Sequence, residues 1–296
     1  MKINLFNYIW KTSGVIYSDL SIKSTIFRFK YCFLAFVNKN TILRFLDTQN
    51  NECLWKELIM QQDKLGILVW PYIHKDWSFD KKCTVIKSHY FEVSKIPNLY
   101  INAGESREIV DLNYISKDLK VIIDRGIWFR REGELVLNLY IDKVRIYSVV
   151  FSLGRKDNEK IILIGGIQGV TIENIMNIYK ELTKALYGMR PRDFLLNILK
   201  ILSVQLEIHE ILAISNKNRH HNHNYFKSKK LENTSINYDM IWEEHGGKKN
   251  TDGFYYMKSS LNLKPIDKIV SKKRSMYRKR YALLDEIATE ISINLK

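Results

Sequence analysis

Five groups of residues in this 296-residue chain combine side chains and spacing that chemistry requires. In "RREGEL" (130–135), Glu132 and Glu134 stand two apart and share a face if the segment is extended. A carboxylate at a strand end suits a general base when its pKa is raised, with Glu134 the candidate; paired surface glutamates beside Arg130 and Arg131 are the alternative. In "IILIGGIQGVT" (161–171) an apolar run enters glycines where a helix is expected to start. Unpaired N–H groups and the positive end of a helix dipole near Gln168 and Gly169 suit a phosphate. A tight turn with close helix packing is the competing reading. In "KALYGMRPR" (184–192), Lys184, Arg190 and Arg192 flank a helix–helix corner. Arginine forks suit phosphate or carboxylate; alternatively Arg190 or Arg192 braces the corner through carbonyls or an acid such as Glu181. "SNKNRHHNH" (215–223) follows a strand, and ligands often sit beyond strand carboxyl ends. His220 is the candidate base there, with His221 and His223 beside it; no further group shows metal-ligand spacing, so the loop reads as surface histidines and no metal is assigned. "KKRSMYRKRY" (272–281) puts Lys273, Tyr277 and Arg280 on one helical face. Lys272, Lys273, Arg274, Arg278 and Arg280 suit lipid headgroups or another polyanion, or form a solvated face.

These groups need elements to hold them. "ELVLNLYI" and "VRIYSVVFSL" alternate, with Asp142-Lys143 between them, and "GRKDNEK" leads to "IILIGGIQG". Three neighbouring strands with short connections predict an antiparallel sheet, the third strand central because it is apolar throughout. Thr171 is the expected N-cap of the next helix and Gly188 its C-cap; Pro191 starts a second helix, and "EILAIS" (210–215) returns as a strand. Strand, helices, strand is a crossover, so this strand is expected parallel to a neighbour. "LYINA" (99–103) reads as a strand, and "KKCTVIKSHYFEV" (81–93) leaves helix and strand open. His74 and His89 read as structural hydrogen-bonders. Residues 217–250 read as polar loop around a short helix, and a long basic helix begins at Pro265 and Asp267. Near the start, Ile26, Phe29, Phe33 and Phe36 recur at helical spacing among Lys23, Arg28 and Lys30. That helix either packs on the main domain or lies on a membrane surface. The fold class is α+β: a mixed, mainly antiparallel sheet with a helical crossover, a helical N-terminal region (1–60) and one domain (61–296) ending in the long basic helix.

A 46% hydrophobic content supplies a core, and three scattered cysteines argue against a disulfide framework or a cysteine zinc site. The longest early apolar run, "YCFLAFV", is too short for a bilayer, and no secretory signal is read, so a cytoplasmic or peripheral inner-membrane protein is expected. The net charge of +15 attracts nucleic acid, anionic lipid or phosphorylated small molecules.

Several blocks in order, "REGELVLNLY", "RIYSVVFSLG", "LIGGIQG", "LTKALYGMRPRDFLL", "YDMIWEEHGG", "GFYYM" and "KKRSMYRKRYALLDEI", resemble the VirK/YbjX family from about residue 55 onward. The resemblance implies a Gram-negative bacterial source and links to virulence, envelope integrity, antimicrobial-peptide resistance and stress, with no catalytic residues to carry over. The element order also resembles GNAT-type acyltransferases, which implies an acyl-CoA or acyl-carrier donor held near Gln168 and Gly169. The expected function is therefore envelope maintenance by acyl transfer, or a non-enzymatic module on anionic membrane or a protein partner; stress-linked nucleic-acid binding is a weaker third.

Overall fold

The computed structural model describes residues 4–49, 51–226 and 236–295. Four short helices open the chain: α1 (Leu5–Ile16), α2 (Ile22–Val37), α3 (Lys39–Leu46) and α4 (Glu52–Met60). Side chains of Asn4, Ser21 and Asn51 cap α1, α2 and α4 by accepting backbone N–H groups that the first turn leaves free. Helix α5 (Phe79–Val93) follows, capped by Ser78; it is the segment whose periodicity left helix and strand open. The expected strand at 99–103 is absent, and Pro97–Leu99 form a single 3-10 turn instead.

The meander then runs β1 (Ser106–Asp111), β2 (Lys120–Asp124), β3 (Leu135–Ile141), β4 (Val144–Lys156) and β5 (Glu159–Gly169). Asp142-Lys143 and Asp157-Asn158 both have positive φ, so each two-residue hairpin turn matches the strand twist. Helices α6 (Ile175–Ala185) and α7 (Pro191–Gln205) cross over to β6 (Glu210–Ile214), which pairs parallel with β5 as expected. Helix α8 (Tyr238–Glu244), β7 (Lys248–Lys249), β8 (Phe254–Lys258) and α9 (Ser271–Asn294) complete the chain. The expected loop over 217–250 includes 227–235, which lie outside the described residues.

The sheet is open, in the order β1-β2-β3-β4-β5-β6-β8-β7, and among the described residues only β5–β6 is parallel. β4 is buried at nine consecutive positions, so both its faces are covered. Helix α5 packs on β4 from one side; α7 packs on β3 and β4 from the other and carries α9. Helices α3 and α4 stack on α5, and α1 and α2 continue that side. One apolar cluster joins Ile9, Tyr31 and Phe45 of the N-terminal helices to the sheet core. The protein is thus a mixed α+β structure, as its sequence patterning predicts.

Two helix starts differ from expectation. Helix α6 begins at Ile175 with Asn174 in the left-handed region as its N-cap, three residues beyond the start expected after Thr171. Helix α9 begins at Ser271; the Pro265–Asp267 signal makes a separate 3-10 turn.

Candidate functional site

The glycines of "IGGIQG" lie inside a strand. β5 continues through Gly169, and Val150 pairs with Gly166 while Phe151 pairs with Ile164, so Gly165 bulges out of register. A Cβ on Gly165 would stand 1.9 Å from the carbonyl oxygen of Glu132, and one on Gly166 1.9 Å from its carboxylate Oε2. The two glycines exist because Glu132 lies flat across β5. Gly169 is also close-packed, against the side chains of Tyr147 and Tyr179. Gln168 is exposed on the strand, opposite Ser148.

Glu132 and Glu134 enter separate clusters on either side of Gly133. The chain turns from Ile127 to Glu132 before β3 begins, so the two carboxylates do not share a strand face. Glu134 is buried and accepts from the Lys64 Nζ at 2.5 Å and from the Tyr72 and Tyr90 hydroxyls at 2.8 Å each. Lys64 and Arg125 also reach Glu57, at 3.3 and 2.5 Å, which balances two cations against two carboxylates. Burial pushes the Glu134 carboxyl up, but the Lys64 ammonium and the Arg125 guanidinium outweigh it and hold it down at about 2. The candidate base is therefore an ionised, fully partnered carboxylate. His89 stands beside this network with its Nδ1 accepting the Leu153 N–H at 3.1 Å, and burial pushes its pKa down to about 3, so it is neutral. A cavity of about 270 Å³ opens over the network between Gln61, Lys64, Gly104, Arg125 and Glu134.

Glu132 meets His220 and His221 instead. Its Oε1 is 3.2 Å from the His221 Nε2 and 4.0 Å from the His220 Nε2. Backbone bonds bring the loop there: Ile73 donates its N–H to the Arg131 carbonyl at 2.7 Å and accepts the His220 N–H at 3.1 Å. Ile73 sits at φ 53°, a conformation that strains a β-branched residue by roughly 1–3 kcal/mol. His220 is buried, contrary to its expectation as a surface histidine, while His221 is partly exposed. Burial, then His221, push the His220 pKa well down, so its ring is neutral. His223 stays outside the cluster and accepts the Tyr225 N–H. Glu132 was visible in sequence only as one of two glutamates; its partnership with the distant His220 and His221 has no sequence signal.

The other expected positions lie apart. Lys184 is exposed in the last turn of α6, where a cation complements the dipole. Arg190 bonds Asp193 at 2.6 Å and Glu244 at 2.7 Å, and Arg192 bonds the same two acids at 2.9 and 2.5 Å. Burial would raise the Asp193 carboxyl, yet His245 and the two arginines hold it well below the usual range. In α9, Arg274 bonds the Ile269 and Asp267 carbonyls, and Arg280 bonds the Tyr187 carbonyl through two nitrogens. Lys272, Lys273 and Arg278 are exposed, with no carboxylate in salt-bridge reach among the described residues.

A different surface stands out in α1 and α2. The face of α2 predicted from its spacing is turned outward: Ile26, Phe29, Phe33 and Phe36 are 49%, 61%, 68% and 68% exposed. The buried side is Ser24, Tyr31 and Ala35. Leu20, Ile22, Phe6 and Trp10 extend the apolar surface. Basic side chains ring it, with Arg28 over Trp10, Lys30 over Phe27 and Lys39 over Phe36.

Fold and clusters define a mixed α+β protein with an open eight-stranded sheet and two buried polar groups at the Gly133 crossing. The chain belongs to the family described as "Protein of unknown function (DUF535)", whose model matches residues 21–292. An uncharacterized protein of Haemophilus influenzae is 27% identical over 251 residues, 84% of this chain and 83% of that one. The uncharacterized protein YbjX of Escherichia coli is 26% identical over 242 residues, 79% of this chain and 73% of YbjX. A second H. influenzae protein is 35% identical over 135 residues, 45% of this chain and 44% of its own. No solved structure matches. No helix among the described residues is long and apolar enough to cross a membrane.

Proposed function

We propose that this protein works at an anionic membrane surface, seated by the outward face of α1 and α2. The observation that carries the reading is the exposure of Ile26, Phe29, Phe33 and Phe36 along one side of a helix. Contiguous apolar surface of this kind, rimmed by polar groups, marks an interaction site. Charge selects the partner. Residues 1–46 hold seven basic side chains and one acidic, Asp19, and an apolar helix face flanked by Lys and Arg is the pattern of an interfacial helix on anionic lipid. Envelope maintenance, the role implied by the family resemblance, fits a protein stationed there.

Vesicle co-sedimentation with the full chain tests it. Binding to phosphatidylglycerol vesicles is expected, with little to phosphatidylcholine, and Phe29→Asp/Phe33→Asp abolishes it. Equal binding by that variant overturns the reading. A salt-independent dimer in solution with no vesicle binding assigns the face to a second copy instead.

Acyl transfer, the second reading, draws on one observation. β5 and β6 run parallel over Ile161–Ile164 and Glu210–Ala213, and this pairing ends beside the Gly165 bulge, an opening in which a donor could be held. The Tyr238 hydroxyl occupies that opening, accepting from the Ile167 N–H and donating to its carbonyl at 2.9 Å each. Acyl-CoA and acyl-carrier donors raise the melting temperature if the opening takes a donor; no shift with any of them removes this reading.

A further inference from the structure

We infer that Glu132, His220 and His221 form a binding site for a divalent transition-metal ion. Ligand atoms of the three side chains all lie within 4.8 Å of one another. An ion bound at about 2.0–2.2 Å draws such atoms together by shifts of roughly half an ångström each. Two imidazoles and one carboxylate form a set for zinc, iron or cobalt, with positions left for water; magnesium and calcium favour all-oxygen sites.

Three independent features mark the cluster as built. The Glu132 Oε2 and the His220 Nδ1 are buried without any hydrogen-bond partner. Orphaned polar atoms of this kind each cost about 1–3 kcal/mol, and a cation in contact with the carboxylate removes part of that cost. The glycine pair in β5 is the second feature: any Cβ at Gly166 would occupy the place of the Oε2. The third is Ile73, whose strained backbone ties the Glu132 segment and the His220 loop together through one N–H and one carbonyl. Packing alone does not require a β-branched residue in the left-handed region there. His221, the most exposed of the three, faces the side from which solvent completes the coordination. Phe226 closes the other side, with ring centroids 5.9 Å from His220 and 5.8 Å from His221.

The test uses the full chain stripped of metal with chelator, titrated with Co²⁺ by visible absorption and with Zn²⁺ by calorimetry. One ion per chain is expected for each, with excess Mg²⁺ failing to compete. His221→Ala leaves the buried pair intact and Glu132→Gln keeps the side-chain shape. Each is expected to weaken binding by roughly 100-fold or more, beyond the 10–100-fold that outer-shell partners of a metal command. His223→Ala, in the same loop but outside the cluster, binds as the unaltered chain does. Circular dichroism confirms that each variant is folded, and Zn²⁺ is expected to raise the melting temperature of the unaltered chain but not of His221→Ala. No saturable binding of either ion, or binding that survives both His221→Ala and Glu132→Gln, overturns the inference.

Discussion

At the scale of single residues, Glu134 is where burial and charge oppose each other most directly. A carboxylate out of water is tolerated because Lys64, Tyr72 and Tyr90 occupy its lone pairs. Removing one partner of such a pair strands the other, so Glu134→Gln leaves the Lys64 ammonium with Glu57 alone and is expected to cost about 3–5 kcal/mol in urea denaturation. The pH dependence has a definite sign. The folded carboxyl is held at about 2, against about 4.3 in an unfolded chain. Its stabilisation is complete above the unfolded value and is lost as pH falls from about 5 toward 2. The unaltered protein should therefore lose stability across that window more steeply than Glu134→Gln; parallel curves would mean that Glu134 is not ionised in the fold. Sequence spacing placed Glu134 at a strand start correctly. It misjudged the environment, because Lys64, Tyr72 and Tyr90 come from 44 to 70 residues away, and no local pattern reports them.

At the scale of elements, the hairpins, the crossover and Pro191 were legible because turn and cap chemistry is local; the C-cap of α6 is Leu186, and Gly188, expected there, lies two residues further on at φ 81°. The "GGIQG" stretch was misread for a non-local reason. Glycines before a helix and glycines under a crossing chain look alike in sequence, and only the path of Glu132 over β5 separates them. That distinction has a measurable consequence. Gly165→Ala drives a Cβ into the backbone carbonyl of Glu132, which cannot swing aside, whereas Gly166→Ala meets the Glu132 carboxylate, the far end of a flexible side chain. Gly165→Ala should cost the upper part of, or more than, the roughly 1–3 kcal/mol typical of overpacking, and Gly166→Ala less. Thermal denaturation of the pair measures it, and equal losses would contradict the close approach. The face of α2 presents the same asymmetry. Its spacing was read correctly from Ile26, Phe29, Phe33 and Phe36, yet periodicity gives an apolar side without saying what covers it.

At the scale of the whole molecule, the protein carries two basic surfaces that a flat bilayer does not meet together. Helices α1 and α2 belong to the α5 side of the sheet, while α9 rides on α7 on the other. A membrane against Phe29 and Phe33 leaves Lys272, Lys273 and Arg278 on the α7 side of the sheet. Charges there are screened beyond about 10 Å at 0.1 M salt. A basic residue in contact with an anionic surface is worth about 1 kcal/mol, so three of them on the bound side would change affinity by about 100-fold on removal. Reversal of Lys272, Lys273 and Arg278 to Glu is therefore expected to change affinity for phosphatidylglycerol vesicles by less than about 2-fold at 0.1 M salt. Phe29→Asp/Phe33→Asp removes binding at every salt concentration, since the apolar contribution is not screened. Arg274 and Arg280 stay unaltered in this comparison because they brace carbonyls within the fold. If the α9 reversal abolishes binding while the α2 variant binds normally, the membrane-facing side is α9, and the exposed phenylalanines belong to a protein contact.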